Sequence, residues 1–392
     1  MTRHRLVIGF VPLLDCAPLI VAAEKGFAAA EGLELELVRE SSWANIRDRV
    51  IVGQFDAAHM LGPMPIASTL GIGHVKVPMI APMALGLGGN AITVSASLWA
   101  SMQLHGAHLG ADPMIQGQAL RAVVRERGGS GAPPLTLAMV YPFSAHNYEL
   151  RYWLAACGID PDNDVLLVVL PPPYMVDALR SGHIDGFCVG EPWNSLAIAD
   201  GIGRIVTSTS AIWHRSPEKV IGMRADWADT HIPQTAALLR AVHHASVWCE
   251  RGESHAELAN LLAQPRFVGE SAELIQRGIA GRLLYAPESP AHVLPDFLRY
   301  STHSATFPWQ SHALWFYTQM VRWKQVPASA SAAAAARAAY RPDLYRFALQ
   351  TLGLTLPSSD TKVERRGSGD DPGGFFDGKV FDPDEIDDYL NT

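Results

Sequence analysis

Apolar positions over the first third of the chain switch repeatedly between two periods. Leu6 to Phe10 is a short apolar run, Ala17 to Ala30 has helical spacing, and Leu33-Glu34-Leu35-Glu36-Leu37-Val38 alternates with period two. This predicts strand, helix, strand. Ser42 is placed to cap a helix beginning near Trp43, with Ile46, Val50 and Ile51 on one face. Ala57 to Leu61 reads as a short strand, and Pro63-Met64-Pro65 opens another helix. Strands at Val77 to Ala81 and Ala91 to Ser95 flank a glycine-rich turn, Gly86-Leu87-Gly88-Gly89-Asn90.

A polar segment to Asp112 leads to a helix from Pro113 to Arg127 and a loop from Gly128 to Pro134. The alternation then resumes. Strands are predicted at Leu135 to Val140, Val165 to Leu170, Phe187 to Val189 and Arg204 to Thr207. Between them fall a helix capped by Ser144, showing Leu150, Trp153, Leu154 and Cys157, and helices from Tyr174 to Ser181 and Pro192 to Ala199. From Thr235 the pattern is mainly helical, and alanine-rich Ser329 to Ala339 reads as a surface helix.

Repeated strand-helix units predict an α/β fold with mostly parallel sheets covered by helices on both faces. A chain of 392 residues is long for one core, so two lobes are expected. With the first crossing at the glycine-rich turn and the return at Arg204 to Thr207, lobe 1 comprises residues 1–92 and 205–350 and lobe 2 residues 93–204. Residues 351–392 form a tail. Its polar part, Pro357 to Asp371, is expected to be mobile, and its aromatic end, Phe375 to Asp382, to dock on the body.

Composition narrows the function. No apolar run approaches the roughly 20 residues of a membrane helix, so no membrane insertion is expected. A formal net charge of -8 offers no attraction to nucleic acid, so direct binding there is not expected either. The four cysteines, Cys16, Cys157, Cys188 and Cys249, are widely spaced without a CxxC and read as buried free thiols of a reducing compartment. Arg3-His4-Arg5 followed by Leu6 to Leu14 imitates a secretory signal, and Leu14-Asp15-Cys16 imitates a lipoprotein cleavage box. Pro12 interrupts the run and Asp15 stands where a small residue is needed, so the run is expected to be a core strand and the protein cytoplasmic.

Several motifs fail. The Gly86–Asn90 turn and Gly71-Ile72-Gly73 lack GxGxxG spacing, and Ser216-Pro217-Glu218-Lys219 matches SxxK without companion motifs. His105, His108 and Asp112 lack a further ligand of defined spacing, and His243-His244 diverge on a helix. No cofactor, metal or catalytic residue is expected.

The stretch Pro217 to Trp227 gathers with three earlier residues into a different chemistry. Trp43 and His146 fall at helix starts, where free N–H groups and the helix dipole favour an anion. The Trp43 indole can only donate, and Asn90 brings an amide after a turn that lets backbone approach a ligand closely. Lys219 supplies a positive charge, which burial would make costly without an anion. Taken singly, Trp43 reads as core, His146 as a surface residue of a cap and Lys219 as solvent-exposed. Together they suit a small oxyanion.

The runs Ser42 to Asp48, Asp56 to Pro65, Arg151 to Pro161 and Gly186 to Asn194 resemble the nitrate/bicarbonate-binding proteins of ABC transporters. The likeness extends through Pro217 to Trp227, Trp315 to Trp323, Tyr340 to Asp343 and Phe376 to Pro383, nearly the whole chain. It implies a two-lobe, class II periplasmic-binding-protein-like clamp. It also implies an anion held by a tryptophan, an amide, a histidine and a lysine, matching Trp43, Asn90, His146 and Lys219. Asn90 stands where the transporter proteins are expected to carry glutamine.

A leaderless member looks like the NasS-type cytoplasmic nitrate/nitrite sensors, which implies regulation of nitrate assimilation by ligand-dependent release of an RNA-binding antiterminator protein of NasT type. The rival is a substrate-binding protein delivering nitrate or bicarbonate to a permease. An enzyme of the thiamine-pyrimidine synthase kind shares only the general architecture, and the cysteine-rich signature of those enzymes is absent.

Overall fold

Leu6, Ile8 and Phe10 are sealed on one side of the first strand, and the apolar run that imitates a signal is the start of a sheet. The computed structural model describes residues 3–73, 75–365, 367 and 373–391. Ten strands build two five-stranded sheets. They are β1 (His4–Phe10), β2 (Leu33–Arg39), β3 (Ala57–Leu61), β4 (Met79–Ala84), β5 (Asn90–Ser95), β6 (Leu135–Met139), β7 (Val165–Val169), β8 (Gly186–Gly190), β9 (Gly203–Ser208) and β10 (Lys219–Arg224). The first sheet has the order β2-β1-β3-β10-β4 and the second β9-β5-β8-β6-β7.

Both sheets are mixed, with four strands of each running one way, as expected of mostly parallel sheets, and a single strand running against them. β1 runs parallel to β2 and β3, and β6 parallel to β7 and β8, as strand-helix-strand units dictate. The other pairings are antiparallel. β10 enters the first sheet between β3 and β4 against both, and β5 enters the second between β8 and β9 against both. These are the strands that follow a passage from one sheet to the other, and each arrives from the opposite end.

Three local expectations shift. The helix expected over Ala17 to Ala30 is two pieces, α1 (Ala17–Glu24) and a single turn at Phe27–Ala30, because Gly26 adopts φ 80° between them. The segment leading to Asp112 holds a helix, Ala96–Gln103, capped by Ser95. Its two serines and the capping Ser95 hide buried Leu98, Trp99 and Met102 from a pattern reading. The strand expected at Val77 to Ala81 lies two to three residues later, as β4.

The polar tail is anchored over its first part. Arg346 binds the carbonyls of Pro357 and Ser359 and the Asp360 carboxylate, and buried Glu364 meets His312 at 3.2 Å and Lys362 at 2.8 Å. These contacts are made from within the polar stretch and put a carboxylate of it in a buried place between two basic side chains. Arg366 and residues 368–371 of that stretch lie outside the described residues. Phe375 pairs with Trp213 across a two-stranded ladder, against the aromatic body.

Candidate functional site

The four donors singled out above start on separate elements and finish together at the ends of the two sheets. Helix α2 (Trp43–Ile51) follows β2, and Ser42 caps it by accepting the Asn45 N–H, so Trp43 is its first residue. Helix α3 (Ala145–Ala156) follows β6, and Ser144 caps it through the Asn147 N–H at 3.0 Å, with His146 in its first turn. Asn90 opens β5 opposite Gly190, the last residue of β8. Lys219 opens β10 opposite Leu61, the last residue of β3. The carboxyl ends of parallel strands beside a chain crossing are where open α/β sheets place ligands.

All four side chains are buried. Gly190 permits the approach on one side, since a Cβ there would lie 3.2 Å from both the Asn90 carboxamide oxygen and Leu13. The loop after β1 closes another side. Leu14 N–H donates to the Glu191 carbonyl at 3.0 Å, Trp193 Nε1 donates to the Pro12 carbonyl at 3.2 Å, and Tyr300 Oη donates to the Leu14 carbonyl. These bonds hold Asp15 inside the site.

Lys219 has partners within the protein. Its Nζ donates to Asp15 Oδ2 at 2.8 Å and to Glu218 Oε1 at 2.6 Å, and stands 5.5 Å from the centre of the Trp43 ring. The anion that a buried ammonium calls for is found within the chain, which supplies two carboxylates of its own. Burial acts to lower the Lys219 pKa, but Asp15 and Glu218 outweigh it and hold the ammonium above its ordinary value. For Asp15, burial acts upward and is overcome by Lys219 and His59, so its carboxyl lies well below the carboxylate range.

The rest of the cluster is neutral or close to it. His146 is held well below its ordinary value by burial and by Lys219, and His59 is lowered chiefly by burial. Each is an uncharged imidazole. Glu149 is pushed well above its ordinary value by burial and by Glu218, so it is a protonated carboxyl. Burial raises Glu218 to about 7 against the pull of Lys219.

Hydrogen-bonding capacity is left over here. Trp43 Nε1, both polar atoms of Asn90, both ring nitrogens of His146 and both carboxyl oxygens of Glu149 are buried without a hydrogen bond of good geometry. His146 Nδ1 does lie 3.1 Å from Glu218 Oε1, off the N–H direction, and Asn90 lies beside the Glu149 and Glu218 carboxyls. Buried polar groups are nearly always satisfied, so such a concentration is a signal of its own.

Asp15, His59, Glu149 and Glu218 were missed. Each left a trace in the sequence: Asp15 and His59 are single polar residues inside the apolar runs Leu13 to Cys16 and Ala57 to Leu61, Glu149 is three residues after His146 on one helix face, and Glu218 adjoins Lys219.

Glu191 borders the site and carries a testable pH effect. It is buried, Ser195 N–H donates to it at 3.2 Å, and burial raises its carboxyl to about 7. A carboxyl whose folded pKa is raised binds its proton more tightly in the folded state, so its contribution is present below about pH 4.5 and is lost as pH rises through 7. Glu191→Gln is expected to unfold like the parent at pH 4. At pH 8 it should be more stable by up to about 3 kcal/mol in urea titrations, at 1.36 kcal/mol per pKa unit.

Two mixed sheets whose crossing strands bring buried donors together define a two-lobe ligand-binding protein of the periplasmic-binding-protein-like type. The crystal structure of the periplasmic nitrate-binding protein NrtA from Synechocystis PCC 6803 superposes with a TM-score of 0.89 at 31% identity, over 100% of this chain and 98% of that one. The nitrate/nitrite binding protein NrtA of Synechococcus elongatus is 36% identical over 397 residues, 98% of this chain and 85% of that protein. The nitrate import ATP-binding protein NrtC of Synechocystis is 37% identical over 388 residues, 98% of this chain but 54% of that protein, so this chain spans about half the length of that relative. The NMT1-like family model matches residues 2–263. The chain belongs to the NMT1-like family, among its nitrate/nitrite- and bicarbonate-binding substrate-binding proteins. The relatives and the solved structure it resembles are named for anion binding.

Proposed function

We propose that this chain binds a small planar oxyanion, nitrate or nitrite, in the buried site, with Trp43, Asn90, His146 and Lys219 as its holders. One observation carries the reading. Donors from four separated segments converge on one buried place, and those of Trp43, Asn90 and His146 make no hydrogen bond of good geometry among the described residues. An uncharged imidazole and an indole suit a weakly basic anion, which needs donors and no base.

Calorimetric titration of sodium nitrate into the purified chain tests it. Trp43→Phe removes the indole N–H and keeps a ring. At about 1.5–3 kcal/mol for a hydrogen bond to a charged group, nitrate should bind roughly 10- to 100-fold more weakly. Equal affinity in the two proteins rejects the tryptophan as a holder, and no heat with nitrate, nitrite or bicarbonate rejects the site.

The relatives favour use of the bound anion as a transporter's substrate, nitrate before bicarbonate. A finer reading is a cytoplasmic sensor that releases an antiterminator protein of NasT type when nitrate binds. Lobe closure around the anion would then alter a partner surface, provided the closed state binds better. Cell fractionation separates the two, since recovery outside the cytoplasm is incompatible with the sensor.

A further inference from the structure

The acid residue beside Lys219 has a position that a salt bridge alone does not require. Glu218 Oε1 lies 2.6 Å from Lys219 Nζ and 3.1 Å from His146 Nδ1, with Asn90 beside the same carboxyl. Three of the four proposed holders thus face one carboxylate. A carboxylate is a planar O–C–O group with its charge over two oxygens, the shape and charge of nitrite and of an edge of nitrate or bicarbonate. Glu218 Oε2 makes no hydrogen bond of good geometry among the described residues, and the residue is 3% exposed, so this is no solvated surface acid.

We propose that Glu218 is an internal counter-anion whose carboxylate competes with the oxyanion for Lys219 and His146, so that binding is an exchange of one anion for another. This rests on the oxyanion site proposed above and adds to it a determinant of affinity.

The charges of the cluster say how the exchange balances. Asp15 and Lys219 form one pair, while His59, His146 and Glu149 are neutral. An ionised Glu218 therefore leaves one negative charge in excess, and an entering oxyanion would make it two. Like charges so placed in a low dielectric repel strongly, so the displaced carboxylate takes one proton from solvent as the anion enters. The other groups that sense Glu218 are Cys188 and Tyr340, whose pKa values are raised chiefly by burial and further by Glu218, so both are uncharged and neither can supply the balancing charge.

The test is calorimetry of sodium nitrate into the full chain at pH 6.5 and 8.0, in buffers of different ionisation enthalpy, alongside Glu218→Gln. The parent is expected to take up close to one proton per nitrate at pH 8.0 and to lose affinity about tenfold per pH unit above 7. Glu218→Gln should bind about tenfold more tightly than the parent at pH 8.0 and take up no proton. A parent with buffer-independent heats overturns the exchange, and so does a Gln variant that binds no more tightly than the parent. The buffer comparison stands even if the variant does not fold. No heat from the parent with nitrate, nitrite or bicarbonate at pH 6.5 overturns the oxyanion site and the exchange with it.

Discussion

Lys219→Met is expected to abolish measurable nitrate binding and to destabilise the protein by about 3–5 kcal/mol, the usual effect of removing one partner of a buried ion pair. The loss comes from what remains: Asp15 stays buried beside a neutral His59 with its Lys219 partner gone. Its pH dependence has a definite sign. In the parent Asp15 is held well below the ordinary carboxylate value, so its contribution is present above about pH 4 and disappears as pH falls further. Without Lys219, burial acts on Asp15 with less opposition and its pKa rises. The deficit of the variant, followed by urea unfolding, should therefore shrink as pH is lowered. Asp15→Asn combined with Lys219→Met removes both charges and should recover most of the stability without nitrate binding. A double variant that binds nitrate like the parent would show Lys219 to be only half of a structural ion pair.

That control is needed because the sequence disclosed the donors of this site far better than its counter-charges. Trp43 and His146 were legible through their caps, since Ser42 and Ser144 fix where each helix begins. Asn90 followed from the glycine turn before it. The acids were not legible for a physical reason: Asp15 and His59 read as interruptions in apolar runs, and only the fold brings residues 44 apart to a 2.9 Å contact. The α/β class was legible from the alternation of elements. The direction of β5 and β10 was not, because a hydrophobic period of two is the same for a strand entered from either end. Gly26 shows the converse. One residue with a left-handed backbone divides a run whose apolar spacing is continuous.

Phe375→Ala is expected to cost about 3–5 kcal/mol, the range for losing a buried aromatic ring. The ring is 2% exposed, with its centre 4.8 Å from that of Trp213, 5.2 Å from Tyr152 and 6.0 Å from Trp315. Neighbouring bonds fasten the same segment: Tyr152 Oη donates to Asp377 at 2.8 Å, and Trp315 Nε1 donates to Tyr389 Oη at 3.1 Å. Truncation leaves a cavity among three large rings that cannot easily collapse into it. Tyr152 lies on α3, whose first turn carries His146, and Trp213 lies on the segment leading to Lys219. The cluster therefore backs two of the four proposed holders, His146 and Lys219, from outside the candidate site. Nitrate affinity should accordingly weaken by less than tenfold while the urea midpoint falls. Val380→Ala, at a side chain 51% exposed five residues on, should stay within about 0.5 kcal/mol of the parent. If Phe375→Ala unfolds at the parent's midpoint, the aromatic end is not part of the folded unit. If it keeps the midpoint but loses nitrate, the segment acts on the site directly.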